Sequence, residues 1–292
     1  MKLLARAPGK VNLCLFLGPV RSDGRHEVVT LLESVSVADE LSVAVARGGS
    51  AVDEVVCAGV EGPNIVSGAV AGLRERGWDA PAVRVVIRKR VPVAAGMGGG
   101  SADAAAMLRL AAAIAPVPAG VAAELAASLG ADVPSQLVPG VSIGTGAGEV
   151  VKRLDALGPH AFVIVPQGDG LSTAEVYREA DRLGLPRDAA NLASRHRELL
   201  AALRAGTYLL GNDLEPAALS LRPEIGRALD TVRDSGADHA MVSGSGPTVF
   251  ALFTGVEAQA RAEAVAVGLA RRYPGATSAA PVGEEFGAPR GS

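Results

Sequence analysis

The sequence predicts a two-domain protein in which strands and helices are mixed along the whole chain. Three observations carry this. Alternating apolar segments at 3–17, 28–37 and 83–87 have the two-residue period of strands. Ala- and Leu-rich runs, 104–113 and 121–129 above all, have the composition of helices. A chain of 292 residues is long for one core, and the stretch 155–160, with Gly158-Pro159 inside it, reads as a boundary. The expected division is 1–157 and 158–283, with 284–292 as a flexible tail.

Taken in order, residues 3–17 form a strand interrupted at Ala7-Pro8-Gly9-Lys10, which places Lys10 at a strand start. A polar turn, 21–27, follows with Asp23-Gly24 at its centre. Strands are expected over 28–37 and, after Asp39-Glu40, over 41–46. Residues 61–66 precede a helix over 66–76, where Asn64 is either a helix cap or a ligand contact. Trp78, the only tryptophan, reads as a core residue. Helix 121–129 stops at Gly130, and Asp132 follows just before Val133-Pro134, with an extended backbone expected. Residues 139–149 read as a strand and a glycine turn. The second half opens with a buried strand, 161–165. Ser172-Thr173 then starts a helix with Tyr177 one turn in. Helices follow over 189–204, from about 213 and over 224–235; then a glycine turn at 243–247 feeds a strand, and helix 256–273 closes the domain.

Composition bounds the function. Lysine plus arginine number 28 against 31 acids, a net charge of −3, which offers no electrostatic attraction to nucleic acid or anionic membrane. Cys14 and Cys57 are the only cysteines, without metal-ligand spacing, and are expected to be reduced and buried. Residues 1–6 do not read as a signal peptide, and the most apolar span, 110–131, is broken by Pro116, Pro118 and Glu124. A cytoplasmic protein is expected.

The richest signal is 91–106, where four of the five residues from Gly96 to Gly100 are glycine and a helix follows. Such a loop aims several backbone N–H groups at one point, and the helix dipole adds positive potential there: an anion site, most often for phosphate. Ser101 is suited to cap that helix. The plain alternative is a tight turn before a buried helix. A Walker loop is excluded, because the only Gly-Lys pair, Gly9-Lys10, lacks the upstream glycine; a dinucleotide fingerprint fails where Ser101 replaces a third glycine.

What remains, P-V-A-A-G-M-G-G-G-S-A-D-A-A, resembles the ATP loop of the GHMP small-molecule kinases. A-P-G-K-V-N-L at 7–13 resembles the opening motif of that family, and S-G-S-G-P-T-V at 243–249 its third motif, which folds back on the loop. Four further tracts resemble the 4-diphosphocytidyl-2-C-methyl-D-erythritol kinases within it: R-S-D-G-R-H-E at 21–27, G-A-D-V-P at 130–134, L-S-T-A-E-V-Y at 171–177 and N-D-L-E-P at 212–216. One residue departs: Arg25 stands where that group usually has tyrosine.

The resemblance implies an α+β architecture, with an N-terminal domain like domain 2 of ribosomal protein S5 and a ferredoxin-like C-terminal domain. It implies ATP-dependent phosphorylation of the 2-hydroxyl of 4-diphosphocytidyl-2-C-methyl-D-erythritol, with Lys10 and Asp132 catalytic. ATP would meet Pro92, Ala94, Gly96, Met97, Gly98, Gly99, Gly100, Ser101 and Ala102, with Asn64 and Ile65 near the adenine. The substrate would meet Asn12, Arg25, His26, Asp132, Thr173, Tyr177, Gly244, Ser245 and Gly246. Magnesium is expected with ATP, but the sequence identifies no protein ligand for it; Ser101 and Asp103 are candidates. The alternatives are a homoserine- or mevalonate-type kinase and a non-catalytic nucleotide-binding regulator. A monomer or homodimer is expected.

Overall fold

The computed structural model describes residues 2–45, 52–60, 64–168 and 170–291. The N-terminal part is organised on a long hairpin, β1 (Lys2–Val20) and β2 (His26–Val45), closed by the polar turn at 21–25. The break expected at Pro8 does not end β1. Proline cannot donate to a ladder, and the chain accommodates it with a register shift between Pro8 and Lys10 that keeps the strand running. Likewise 26–45 is one strand rather than two. On its edge away from β1, residues 30–33 pair with 141–144 and residues 40–45 with 83–88, so that edge serves two partners. Ala46, the end of the expected second strand, lies outside the described residues, as do 61–63.

β3 (Glu54–Cys57) and β4 (Val83–Arg88) flank α1 (Ile65–Glu75). α2 (Gly99–Ile114), α3 (Val121–Leu129) and the short α4 (Val133–Gln136) follow, then β5 (Val141–Thr145) and β6 (Val150–Arg153). Helices α1 to α3 cover one face of the sheet and bury Leu73, Val85, Met107 and Leu125 between them. Trp78 belongs to this core and donates its indole N–H to Ala111 O at 3.2 Å.

The C-terminal part runs β7 (His160–Val165), α5 (Thr173–Arg182), α6 (Ala189–Arg204), β8 (Gly211–Asn212), α7 (Glu215–Leu221), α8 (Glu224–Arg233), β9 (His239–Val242), β10 (Val249–Thr254), α9 (Ala258–Ala270) and β11 (Thr277–Ala279). Its antiparallel sheet has the order β11-β7-β10-β9, the ferredoxin-like arrangement expected. Alternation along β7 and β10 sends Val163, Val165 and Ala251 to the helices. It sends Phe162, Ile164, Phe250 and Leu252 the other way, against Leu13, Phe16 and Leu31 of the hairpin. The two sheets thus share a dry apolar seam that holds the halves in one relationship. β8, in parallel with β1 at Cys14 and Leu15, adds to it.

The last residues are not a loose tail. α10 (Glu284–Gly287) and β12 (Arg290–Gly291) return to the N-terminal half, where β12 pairs with Leu3 and Leu4 of β1. Of the two cysteines, Cys14 is buried, and burial raises its thiol pKa to about 12; Cys57 is only half-buried, contrary to expectation.

Candidate active site

A cleft of about 630 Å³ opens where the glycine loop, the hairpin and the C-terminal half meet. Its volume lies within the range of small-molecule sites. Lys10 stands at its floor. The register shift at Pro8 aims this buried side chain inward, and its backbone N–H donates to Met97 O at 2.9 Å. The Lys10 ammonium donates to Asn12 Oδ1 and to Gly96 O, both at 2.8 Å, and lies 3.4 Å from Asp132 Oδ2. Asn12 is fixed in turn by donating to Thr30 Oγ1, which donates to Cys14 O.

The loop needs its glycines at two points in particular. Gly96 has φ +74, and a Cβ there would stand 2.3 Å from Ser243 O. Gly98 has φ +65 and lies under the Lys10 stem, 3.1 Å from Lys10 Cε for an added Cβ. Both facts require glycine. Gly98 is also the N-cap of α2, with no side chain to close the helix end. The N–H groups of Gly99, Gly100 and Ser101 therefore lack intrahelical acceptors, and the helix end suits an anion. Ser101 sits in the first turn rather than at the cap, because the left-handed Gly98 already turns the chain.

Asp132 is not extended. It has φ −85 and ψ −14 and forms the N-cap of α4. The conformational restriction from Pro134 falls on Val133, its immediate predecessor, and leaves Asp132 helical. An N-cap aspartate normally accepts from the N–H two or three residues on. Here the second helical residue is Pro134, which has none, and no cap bond from the Asp132 side chain forms. The carboxylate is left to face Lys10.

The opposite wall comes from the C-terminal half. Ser172 caps α5, Thr173 Oγ1 and Ser245 Oγ lie 3.0 Å apart, and Tyr177 faces the cleft. Burial and then the charge of Asp132 push the Tyr177 phenol up to about 12. The turn at 243–247 folds onto the glycine loop as expected: Ser243 Oγ donates to Gly96 O at 3.2 Å and Thr248 N to Ala95 O at 3.3 Å.

Residues 64–140 match the GHMP kinases N terminal domain, and residues 188–275 match the GHMP kinases C terminal domain. The chain belongs to the GHMP kinase family. A 4-diphosphocytidyl-2-C-methyl-D-erythritol kinase from Corynebacterium efficiens (strain DSM 44549 / YS-314 / AJ 12310 / JCM 11189 / NBRC 100395) is 39% identical to it, over 85% of this chain and 84% of that one. One of the same name from Thermobifida fusca (strain YX) is 41% identical over 83% and 84%. A crystal structure of 4-(cytidine 5'-diphospho)-2C-methyl-D-erythritol kinase has a TM-score of 0.77 at 31% identity, covering 96% of this chain and 99% of that one.

With the family established, the predicted residues sort cleanly. Lys10, Asn12, Asn64, Ile65, Pro92, Ala94, Gly96, Gly98, Gly99, Gly100, Ser101, Asp132, Thr173, Tyr177, Gly244 and Ser245 all line the cleft. Met97 and Ala102 are buried beneath the loop, and Gly246 lies behind the Ser243 turn. Asn64 caps α1, its side chain accepting from Val66 N at 2.8 Å, and it also borders the cleft. His26 stands behind Tyr177, with ring centroids 5.5 Å apart, held between Gly18 O at 2.9 Å and Asp181. Arg25 is not brought to the cleft lining. Asp23 takes its guanidinium at 2.8 and 3.0 Å, and Glu149 lies 3.9 Å away.

The sequence reading missed a buried cluster under the loop. Lys89 donates to Asp39 and, at 2.7 Å, to Asp103, and its ammonium would lie 3.2 Å from a Cβ on Gly99. The cluster's members, 50 and 14 residues apart in sequence, gave no local signal. Burial pushes the Asp103 carboxyl up, Lys89 pulls it back, and Asp39 adds to the rise. The two magnesium candidates, Ser101 and Asp103, both line the cleft. Lys89 takes Asp103 Oδ2, while the buried Oδ1 has no hydrogen-bond partner among the described residues. No group of three or more His, Cys, Asp or Glu side chains that could hold a metal occurs among the described residues.

Proposed function

We propose that this chain phosphorylates the 2-hydroxyl of 4-diphosphocytidyl-2-C-methyl-D-erythritol with ATP, in the cleft between its two halves. The observation that carries the reading is the Lys10–Asp132 pair, 3.4 Å apart and beside the free amides of the glycine loop. Phosphoryl transfer asks for positioning and charge neutralisation more than covalent chemistry. The N–H groups of Gly99, Gly100 and Ser101 hold the ATP phosphates, with the base against Asn64 and Ile65. Asp132 takes the proton of the acceptor hydroxyl. Lys10 lies against that carboxylate and stabilises charge on the moving group. Ser101 and Asp103 are the side chains that would hold magnesium, and the ion would supply charge neutralisation on the ATP phosphates.

On the acceptor side, Tyr177 offers a face to the cytosine and the His26 turn its edge, while Asn12, Thr173 and the turn at 244–246 meet the remainder. The working division is 1–157 and 158–283, acting as a monomer or homodimer in the cytoplasm without nucleic acid or membrane. No helix among the described residues is long and apolar enough to cross a membrane.

The test is ADP release with a panel of alcohols. The cytidine compound should stimulate ATP turnover, and homoserine and mevalonate should not. Stimulation by homoserine or mevalonate alone would move the assignment elsewhere in the family; no stimulation by any alcohol would favour a regulator.

A further inference from the structure

The catalytic reading leaves the half-buried Arg109 unused. Arg109, midway along α2, has no carboxylate partner among the described residues, and burial, with neighbouring Arg153, lowers its pKa to about 10. It instead donates to three backbone carbonyls from three separate segments. Nη2 reaches Arg6 O of β1 at 2.9 Å, Nε reaches Gly287 O of the C-terminal segment at 3.0 Å, and Nη1 reaches Gln136 O. Gln136 is the last residue of α4, whose N-cap is Asp132. Arg153 Nη2 donates at 2.7 Å to Ser135 O, one residue earlier. Two guanidiniums thus close the carbonyl end of the four-residue helix that presents the carboxylate. Positive charge there also matches the helix dipole.

The C-terminal segment locks this arrangement from outside. Residues 280–282 bond to Ser34 and Ser36 of β2, and Ser34 Oγ donates at 3.3 Å to Gln136 Oε1. Phe286 packs under the Arg6 guanidinium, 4.6 Å from its ring centre, and β12 pairs with β1. Gly287 is buried against both partners: a Cβ would stand 2.8 Å from Pro139 Cγ and 3.1 Å from Arg109 Nη2. Four residues of helix cannot hold their own direction. Val133 anchors the start of α4 in the core, and Arg109 and Arg153 fix its carbonyl end, with the segment 284–291 pressed over Arg109.

We propose that Arg109, clamped by the C-terminal segment 284–291, is a positioning residue for Asp132, fixing α4 so that the carboxylate meets Lys10 and the acceptor hydroxyl. This rests on the reading of Asp132 as the group that takes the proton. It assigns the end of the chain a part in turnover, although that end lies across the N-terminal half from the cleft.

Gly287→Val drives a wedge between the segment, Pro139 and Arg109 without altering any residue of the cleft lining itself. Turnover per folded molecule should fall by about tenfold or more, since a displacement near 1 Å at a reacting group can cost that much. The ATP dissociation constant should change by less than about twofold, because the loop amides are untouched. The decisive arm is the cycle with Asp132→Asn. In that background the valine should cost no further turnover, the group it misplaces being already disabled, whereas general destabilisation would act in both. Trp78 emission and the melting temperature report the fold. Should the valine variant not fold, truncation after Gly283 is measured in its place. Full turnover in either folded variant, an equal loss in both backgrounds, or failure of both variants to fold overturns the proposal. Near-normal turnover of Asp132→Asn alone would instead remove the proton role, a separate outcome.

Discussion

The Lys10 ammonium lies 3.4 Å from Asp132 Oδ2 while donating at 2.8 Å to Asn12 and to the carbonyl of Gly96. One side chain thus ties the hairpin, the glycine loop and Asp132 together. Lys10→Met keeps the stem and removes the charge. Turnover should fall by about 10²-fold or more, in the range seen when a charge-stabilising donor is lost. Single-turnover kinetics check this, and a variant with wild-type rates would free Lys10 from the chemistry.

The glycine loop makes a prediction about stability as well as binding. Gly96→Ala places a methyl 2.3 Å from Ser243 O at φ +74, so the loop and the turn at 243–247 must separate. The left-handed backbone alone costs about 1–2 kcal/mol. Denaturant unfolding should show at least that loss, with weaker ATP binding. Gly99→Val, next to Val91 and Lys89, should weaken ATP as well. Unchanged nucleotide affinity in a folded Gly99→Val protein would mean the loop does not hold phosphate.

Tyr177 should carry much of the base recognition. Base–aromatic stacking contributes about 1–3 kcal/mol, so Tyr177→Ala should weaken the cytidine substrate by about tenfold or more and leave ATP affinity alone. Arg25→Tyr should be tolerated, because Arg25 is occupied by Asp23 outside the cleft lining. Equal reaction of uridine and cytidine forms would show that the pocket is misplaced.

A pH dependence follows from the seam between the halves. His160 Nδ1 faces Gly158 O at 2.7 Å and Nε2 faces Glu33 Oε2 at 2.9 Å, both in buried surroundings. Burial opposes charge on the ring, but the Glu33 bond and charge outweigh it and raise the His160 pKa. A raised folded pKa gives stability that is complete below the unfolded value, about 6.5, and is lost as pH rises through the folded value. The slope cannot exceed about 1.4 kcal/mol per pH unit for one proton. Wild-type melting temperature should therefore fall more steeply above neutrality than that of His160→Gln. Parallel curves would remove the pair from the pH response.

Much of this was legible in the residues themselves. The glycine density at 96–100 marks a helix N-terminus without a side-chain cap, and period and composition place α3 and α6 at their observed bounds. Less legible was anything set by register or distant partners. Pro8 reads as a break, yet an added bulge carries the strand through. Asp132 reads as extended, but the proline restricts its neighbour instead. Residues 284–291 have a tail's composition, and only their fit against Arg109, Arg6 and β1 orders them. The Lys89 cluster joins three residues far apart in sequence, beyond the reach of local pattern.

The most direct test is turnover by Asp132→Asn at saturating ATP and cytidine substrate. The amide keeps the size and hydrogen bonding of the side chain and loses only its charge. A fall of roughly 10²-fold or more is expected, with both ligands still bound. Turnover near that of the wild type would contradict the account, because nothing else lining the cleft stands within reach of Lys10 as a carboxylate partner.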